Sequence, residues 1–269
     1  MEDFIRFLGT SGGRFVMAKQ LRSSAGTFMH IKGKNIMLDP GPGTLVWWVD
    51  ANPCIDLSKT DAIILSHNHI DHSNDLNVII DVITKGGWTK RKPMLFAPAE
   101  CIEGENKVLL NYLRNFIKIT VLKACTDYAI GNLKFKTSVE HRHGVETYGI
   151  MFDFNCKISF IVDTKYFPGL IKSYGGSDIL IINLVMNKGK DKIMHLCVDD
   201  VRKILSEIKP KKCIITHFGR TMLKGDTNKI ARMLSKETNV DVVAAEDGMI
   251  LNLDEFSREC RDRQMELDF

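Results

Sequence analysis

Ten residues, 66–75, read SHNHIDHSND and place His67, His69, Asp71 and His72 within six positions. Imidazole and carboxylate are the ligands that zinc and related divalent ions take where no thiolate serves. One tetrahedral ion does not need four ligands from so short a stretch with further histidines downstream, whereas two ions do. Of the eight histidines, only His30 falls outside the segments 67–72, 141–143, 195 and 217. Histidines placed by ordinary packing would not cluster in this way. The spacing therefore predicts a metal-binding centre.

The elements around the cluster have to deliver it. FIRFL (4–8) predicts a strand, and residues 26–43 predict a hairpin turning around Lys32-Gly33-Lys34-Asn35. DAIILSH (61–67) predicts a buried strand ending at the cluster, with alternation past its end pointing His67, His69 and Asp71 one way and His72 turning in beside them. Residues 73–84 predict a helix, N-capped by Ser73, with Leu76, Ile79, Ile80 and Ile83 on one face. PMLFAP predicts a strand. Residues 105–116 predict a helix burying Val108, Leu109, Tyr112, Leu113 and Phe116. LKFKTSVEH, YGIMFDF, KISFIVD, DILIINLV and KKCIITH predict strands, with helices over 198–208 and 227–238 and a closing strand pair within 240–251. Strand–helix alternation in both halves argues α/β layers with mixed sheets.

The chain has 269 residues, 44% of them hydrophobic, enough for one globular domain. We place that domain at 1–254 and a charged tail at 255–269, a frayed helix or a disordered end. Lys and Arg exceed Asp and Glu by 37 − 33 = 4, compatible with an anionic substrate and too weak to imply nucleic-acid binding by itself. The start carries no basic and apolar leader, and no apolar run is long enough to span a bilayer. Seven widely spaced cysteines without a C-x-x-C suit reduced thiols, so a cytoplasmic protein is expected.

H-x-H-x-D-H after a buried strand resembles the signature of the metallo-β-lactamase-fold metallohydrolases. FLGTSGG (7–13), IMLDPGPG (36–43), HRHGVETYGIMF (141–152), ISFIVDT (158–164) and CIITHFG (213–219) resemble that superfamily's other segments, in its order, over residues 4–252. The resemblance implies a four-layer αββα sandwich of two mixed β-sheets. It implies that His67, His69 and His143 hold one ion and Asp71, His72 and His217 another, with Asp163 bridging. In the third segment His141 and His143 both remain candidates. The spacing from His143 to Tyr148-Gly149 resembles the ribonuclease Z-like, cyclic phosphodiesterase branch and favours His143, leaving His141 and Asp39 as groups that orient ligands.

Several activities share such ligands. The oxygen- and nitric-oxide-reducing di-iron relatives usually carry Glu where His69 stands, and lactamases commonly carry Cys where Asp163 stands. The segment MHLCVDDVRKILSEIKPKKCIITHFG resembles the ribonuclease Z-like phosphodiesterases, with His195 in the place of a phosphate-contacting histidine; that branch's usual His-Ser-Thr is His195-Leu196-Cys197 here. The expected function is thus a metal-dependent hydrolase, a phosphodiesterase with two ions, Zn2+ or else Mn2+ or Fe2+, acting through a metal-bridging hydroxide. Asp71 would handle the water's proton and His195 would assist the leaving group. The expected partner is a small nucleotide or nucleic-acid phosphodiester, since nothing from 164 to 195 reads as the protruding arm of tRNA-processing enzymes; a homodimer is admissible. Arg14, Lys19, Arg22 and the run Trp88, Lys90, Arg91 and Lys92 are candidates for phosphate contact. Two other readings compete: a thioesterase or lactonase of the same fold, and a metal-binding regulatory protein with little catalysis.

Overall fold

Runs of Ile, Val, Leu and Phe too short to be helices and buried on both faces fix the framework, because strands covered on both sides lose the polar alternation of a half-exposed sheet. The computed structural model describes residues 2–153 and 155–256; the expected tail beyond Phe256 lies outside them. Six strands come first: β1 (Phe4–Phe7), β2 (Thr27–Ile31), β3 (Lys34–Leu38), β4 (Thr60–Ile64), β5 (Met94–Ala97) and β6 (Lys118–Val121). Seven follow: β7 (Asp127–Ile130), β8 (Leu133–Glu140), β9 (Tyr148–Asp153), β10 (Lys157–Ile161), β11 (Ile179–Asn183), β12 (Lys212–Thr216) and β13 (Asp241–Ala244), and β14 (Ile250–Asn252) returns to the first group. The two sheets run β14-β1-β2-β3-β4-β5-β6 and β13-β12-β11-β10-β9-β8-β7, seven strands each and both mixed.

Between the strands lie α1 (Arg14–Ala18), α2 (Thr44–Val49), α3 (Ile70–Ser73), α4 (Leu76–Thr84), α5 (Ala99–Ile102), α6 (Gly169–Tyr174), α7 (Val198–Ile208), α8 (Arg220–Leu223) and α9 (Thr227–Thr238). One core, with Phe7, Ile36, Phe135, Phe152, Phe160 and Ile214, fills the space between the sheets. A second packs α6, α7 and α9 on the outside of the second sheet through Leu170, Val201, Ile204 and Leu234. A third packs α4 on the first sheet through Leu76, Ile79, Ile80 and Ile83. The result is the four-layer αββα sandwich.

Three expectations are corrected. Ser73 does not cap α4: its hydroxyl donates to the carbonyls of Asn68 (3.1 Å) and His69 (2.9 Å) and closes the separate turn α3, so α4 starts at Leu76. The helix expected over 105–116 shrinks to a 3-10 turn at Asn111–Phe116. The reason is competition for its backbone: the Asn77 amide donates to Val108 O and accepts from Leu110 N, while the N–H groups of Val108 and Leu109 donate to Cys101 O. Leu109 and Leu113 are buried as expected, but Tyr112 is exposed. The closing strands β13 and β14 form no hairpin and stand in opposite sheets. Asp247 between them accepts from Thr10 Oγ1 and Ser23 N, both at 2.7 Å, and carries the chain across. No described helix is long and apolar enough to cross a membrane.

Candidate metal centre

β3, β4, β8, β10, β11 and β12 all present their C-terminal ends to one edge of the sandwich, where the backbone leaves the ladders and side chains can converge. Asp39 follows β3, Ser66 and His67 follow β4, and His141 and His143 follow β8. Asp163 lies two residues beyond β10, Asn183 ends β11, His217 follows β12, and His195 precedes α7. The route through the first segment differs from plain strand alternation. His69 precedes α3 in extended conformation, and Asp71 and His72 come from the first turn of that helix. Gly41 permits this: a Cβ there would collide with the carbonyl oxygens of Asp71 and Ser24. Asp39 and His217 hold positive φ (50° and 57°), a conformation non-glycine residues adopt at a cost and keep where the surroundings enforce it.

All seven residues expected as ligands come together. His67 Nε2 lies 3.1 Å from His69 Nδ1, and His143 Nε2 lies 2.9 Å from the same atom. Asp71, His72 and His217 form a neighbouring group able to hold an ion, as do His143, Asp163 and His195. Asp163 sits between them, its Oδ2 at 3.4 Å from His72 Nε2, 3.5 Å from His143 Nε2 and 3.5 Å from His195 Nδ1, its Oδ1 at 3.4 Å from His217 Nε2.

For three of the rings, the surrounding groups fix which nitrogen carries the proton. His143 Nδ1 can only donate to the Met194 carbonyl (2.9 Å), so its Nε2 presents a lone pair. Ser66 Oγ donates to Asp39 Oδ2 (2.6 Å) and so accepts from His67 Nδ1 (2.9 Å), which turns the lone pair of His67 Nε2 the same way. Asp39 Oδ2 accepts from His72 Nδ1 (3.0 Å). His72 Nε2, His195 Nδ1 and His217 Nε2 are buried and have no hydrogen-bond partner. Lone pairs converging on one another, and buried nitrogens without partners, are costly unless a cation fills the space. The residues fit divalent ions.

Electrostatics point the same way. Burial opposes a charge on His72, but Asp163, Asp39 and Asp71 outweigh it and hold its pKa well above the ordinary value: the site draws a positive charge to that spot. Asp163, despite burial, is held well below the usual carboxylate range by His217, His195 and His72. Burial, then His72, keeps His67 well below the imidazole range, and burial lowers His69 and His195. His141 is pushed down to about 4 by burial. It stands behind the centre, its Nδ1 3.2 Å from the Asp163 carbonyl and its Nε2 2.7 Å from Tyr174 Oη, so it faces no candidate ion.

Sequence reasoning missed Ser66, Asn183, whose Nδ2 donates to Asp163 Oδ1 (2.9 Å), Tyr174, and the Gly13 N–H, which donates to Asp71 Oδ2 (3.1 Å). Asn183 was findable as the last residue of a buried parallel strand beside Asp163; the others carry no local signature. Arg91, a candidate for phosphate contact, is tied to Ser58 O, Lys59 O and Asp61 Oδ1 at the start of β4, the end away from the centre.

A domain whose two mixed sheets present such a histidine–aspartate cluster at one edge is that of the β-lactamase superfamily, whose domain model matches residues 34–218. The chain belongs to this superfamily and has the metallo-β-lactamase fold, a fold of metal-dependent hydrolases. An uncharacterized protein of Methanocaldococcus jannaschii is 28% identical over 93% of this chain and 94% of its own. Ribonuclease Z of Borrelia garinii subsp. bavariensis is 22% identical over 92% of this chain and 96% of its own. Among solved structures, the metallo-β-lactamase fold protein YhfI from Bacillus subtilis superposes with a TM-score of 0.78 at 17% identity, covering 94% of this chain and 100% of that one. A diphosphatase from the PhnP family superposes with a TM-score of 0.68 at 19% identity, covering 93% and 97%.

Proposed function

We propose that the protein is a two-metal phosphodiesterase, with zinc as its ions and manganese or iron(II) as chemically admissible alternatives, acting on a small nucleotide or nucleic-acid phosphodiester. The observation that carries this reading is the Asp163 carboxylate, which faces His72 and His143 with one oxygen and His217 with the other. His67, His69 and His143 would hold one ion, Asp71, His72 and His217 the second, and Asp163 both. When bound, a pair of ions supplies an activated water near neutral pH and neutralises charge on the oxygens of an in-line displacement.

The chain's own residues do the rest. Asp71 orients the water and accepts its proton, with the Gly13 N–H holding one carboxylate oxygen in place. His195 keeps Nδ1 shut in against Asp163 while its side chain is 21% exposed, so the open part of the ring can meet the leaving oxygen. Arg14, next to Gly13 and exposed, is the candidate to meet an anionic substrate.

The relatives named ribonuclease Z and the neighbour named a diphosphatase support phosphorus as the reacting centre. A small substrate is supported by length. The ribonuclease Z alignment runs over 311 positions, of which about 247 (92% of 269) are filled by this chain, leaving about 311 − 247 = 64 to the relative alone. Between His143 and His195 the described residues build only β9, β10, α6, β11 and their connections. Free thiols, among them exposed Cys54 and Cys125, support a reducing cytoplasm.

The test is metal analysis of the purified protein followed by turnover of bis-p-nitrophenyl phosphate and cyclic nucleotides against a thioester and a lactone, each with and without chelator. Chelator-sensitive turnover of the phosphodiesters with a higher kcat/KM is expected. Preference for the thioester or the lactone would replace the reading with another ester hydrolase.

A further inference from the structure

We propose that Tyr174 and His141 form a buried relay that pins the main-chain carbonyl of Asp163 and thereby aims its carboxylate between the two ion sites. The relay rests on the metal-centre reading above. Both are positioning residues and touch neither an ion nor the substrate.

The hydrogen-bond distances favour one direction. The Asp163 carbonyl can only accept, so His141 Nδ1, 3.2 Å away, must carry the ring proton. His141 Nε2 is then a lone pair and must accept, and Tyr174 Oη stands 2.7 Å from it. The phenol oxygen also meets the Ser138 side chain, and its one proton has a second acceptor, the Phe160 carbonyl, at 3.3 Å; the shorter contact, to His141 Nε2, takes it. Tyr174 thus selects the tautomer of His141, and that tautomer holds Asp163. Without the phenol, Nε2 loses its donor, the proton can move there, and the Nδ1 lone pair would oppose the Asp163 carbonyl.

Two further features single out this contact. Tyr174 is fully buried at the end of α6, where phenylalanine would fill the same volume with no polar atom to satisfy. Opposite its hydroxyl, in the interior of β9, stands Gly149, where a Cβ would run into Tyr174 Oη. Glycine inside a strand weakens it and marks close approach by another group; here the groups are the phenol and the Phe160 carbonyl beside it. Asp163, moreover, lies beyond the paired residues of β10, whose ladder with β11 ends at Ile161, so its backbone depends on such a contact.

The variants Tyr174→Phe, His141→Leu, His141→Asn and the double variant Tyr174→Phe/His141→Asn test the relay. The asparagine amide can donate to the Asp163 carbonyl without help from Tyr174. In zinc-loaded protein, release to a chelator should accelerate roughly 10–100-fold in Tyr174→Phe and in His141→Leu, the range for lost support of metal ligands. It should stay near the wild-type rate in His141→Asn, and Tyr174→Phe should add nothing in that background. Wild-type release from Tyr174→Phe, or a full additional effect in the double variant, would overturn the relay and leave Tyr174 as packing. The tautomer of His141, read by nitrogen-15 NMR in ion-free protein, separates this failure from failure of the metal centre. Protonation at Nδ1 in the wild type and at Nε2 in Tyr174→Phe supports the relay even if zinc never binds. An unchanged tautomer overturns it.

Discussion

Asp39 Oδ2 accepts the Nδ1–H of His72 at 3.0 Å, and through Ser66 the same carboxylate sets the ring of His67. One residue at the end of β3 therefore orients a histidine in each of the two proposed ion groups. Asp39→Ala is expected to weaken metal affinity about 10–100-fold at both sites, the range for groups that orient ligands. Competitive chelation checks this; loss at one site only would limit Asp39 to the ring on that side.

Asp163→Ala should remove at least one ion per chain, because both groups share its carboxylate. Elemental analysis after dialysis reads the stoichiometry directly. Two ions retained would rule out the shared arrangement.

Asp71→Ala should abolish turnover more severely than it lowers total metal. A carboxylate that both holds an ion and handles a proton loses two roles at once. Rate and metal content measured on the same preparation decide, and equal losses would leave the proton-handling role unsupported.

His195→Ala should leave the metal content and the fold intact and lower the rate by roughly two to four orders of magnitude, the range for a lost general acid. The loss should be small for p-nitrophenolate, a leaving group that hardly needs a proton, and large for ribose hydroxyls. Equal, small losses for both would reduce His195 to a loop histidine before α7.

Removing the ions should destabilise the fold. A ligand bound only by the native state at 100 times its Kd contributes about 2.7 kcal/mol. The melting temperature should therefore fall on chelation and recover on adding zinc back, as followed by calorimetry.

The sandwich was legible because its central strands are short, apolar and buried on both faces, a pattern that survives without knowledge of what covers them. The histidine cluster was legible because imidazole and carboxylate are the ligands divalent ions take where no thiolate serves, and six positions held four of them. What escaped depends on contacts distant in sequence. The helix expected over 105–116 had the right periodicity, yet Asn77, some thirty positions earlier, takes its backbone groups. Ser73 looked like a helix cap and instead closes the turn before it. Met194 contributes only a carbonyl, so its side chain says nothing about its role. Tyr174 reads as an ordinary apolar position of α6, and its hydroxyl acquires meaning only when β8, β9 and β10 are assembled beneath it.

The division of the centre between the sheets has a consequence for biosynthesis. His67, His69, Asp71 and His72 emerge from the ribosome early, but the groups proposed to complete each ion site, His143, Asp163 and His217, belong to the second sheet. At roughly 5–20 residues per second, on the order of 7–30 s separates synthesis of His72 from that of His217. Over that interval the nascent chain displays an incomplete, histidine-rich loop with no enclosed pocket around it. On the proposed two-ion reading, metal acquisition is then a late event, coupled to closure of the second sheet over the first. A cell starved of the ion would accumulate chains that are fully synthesised yet unfinished.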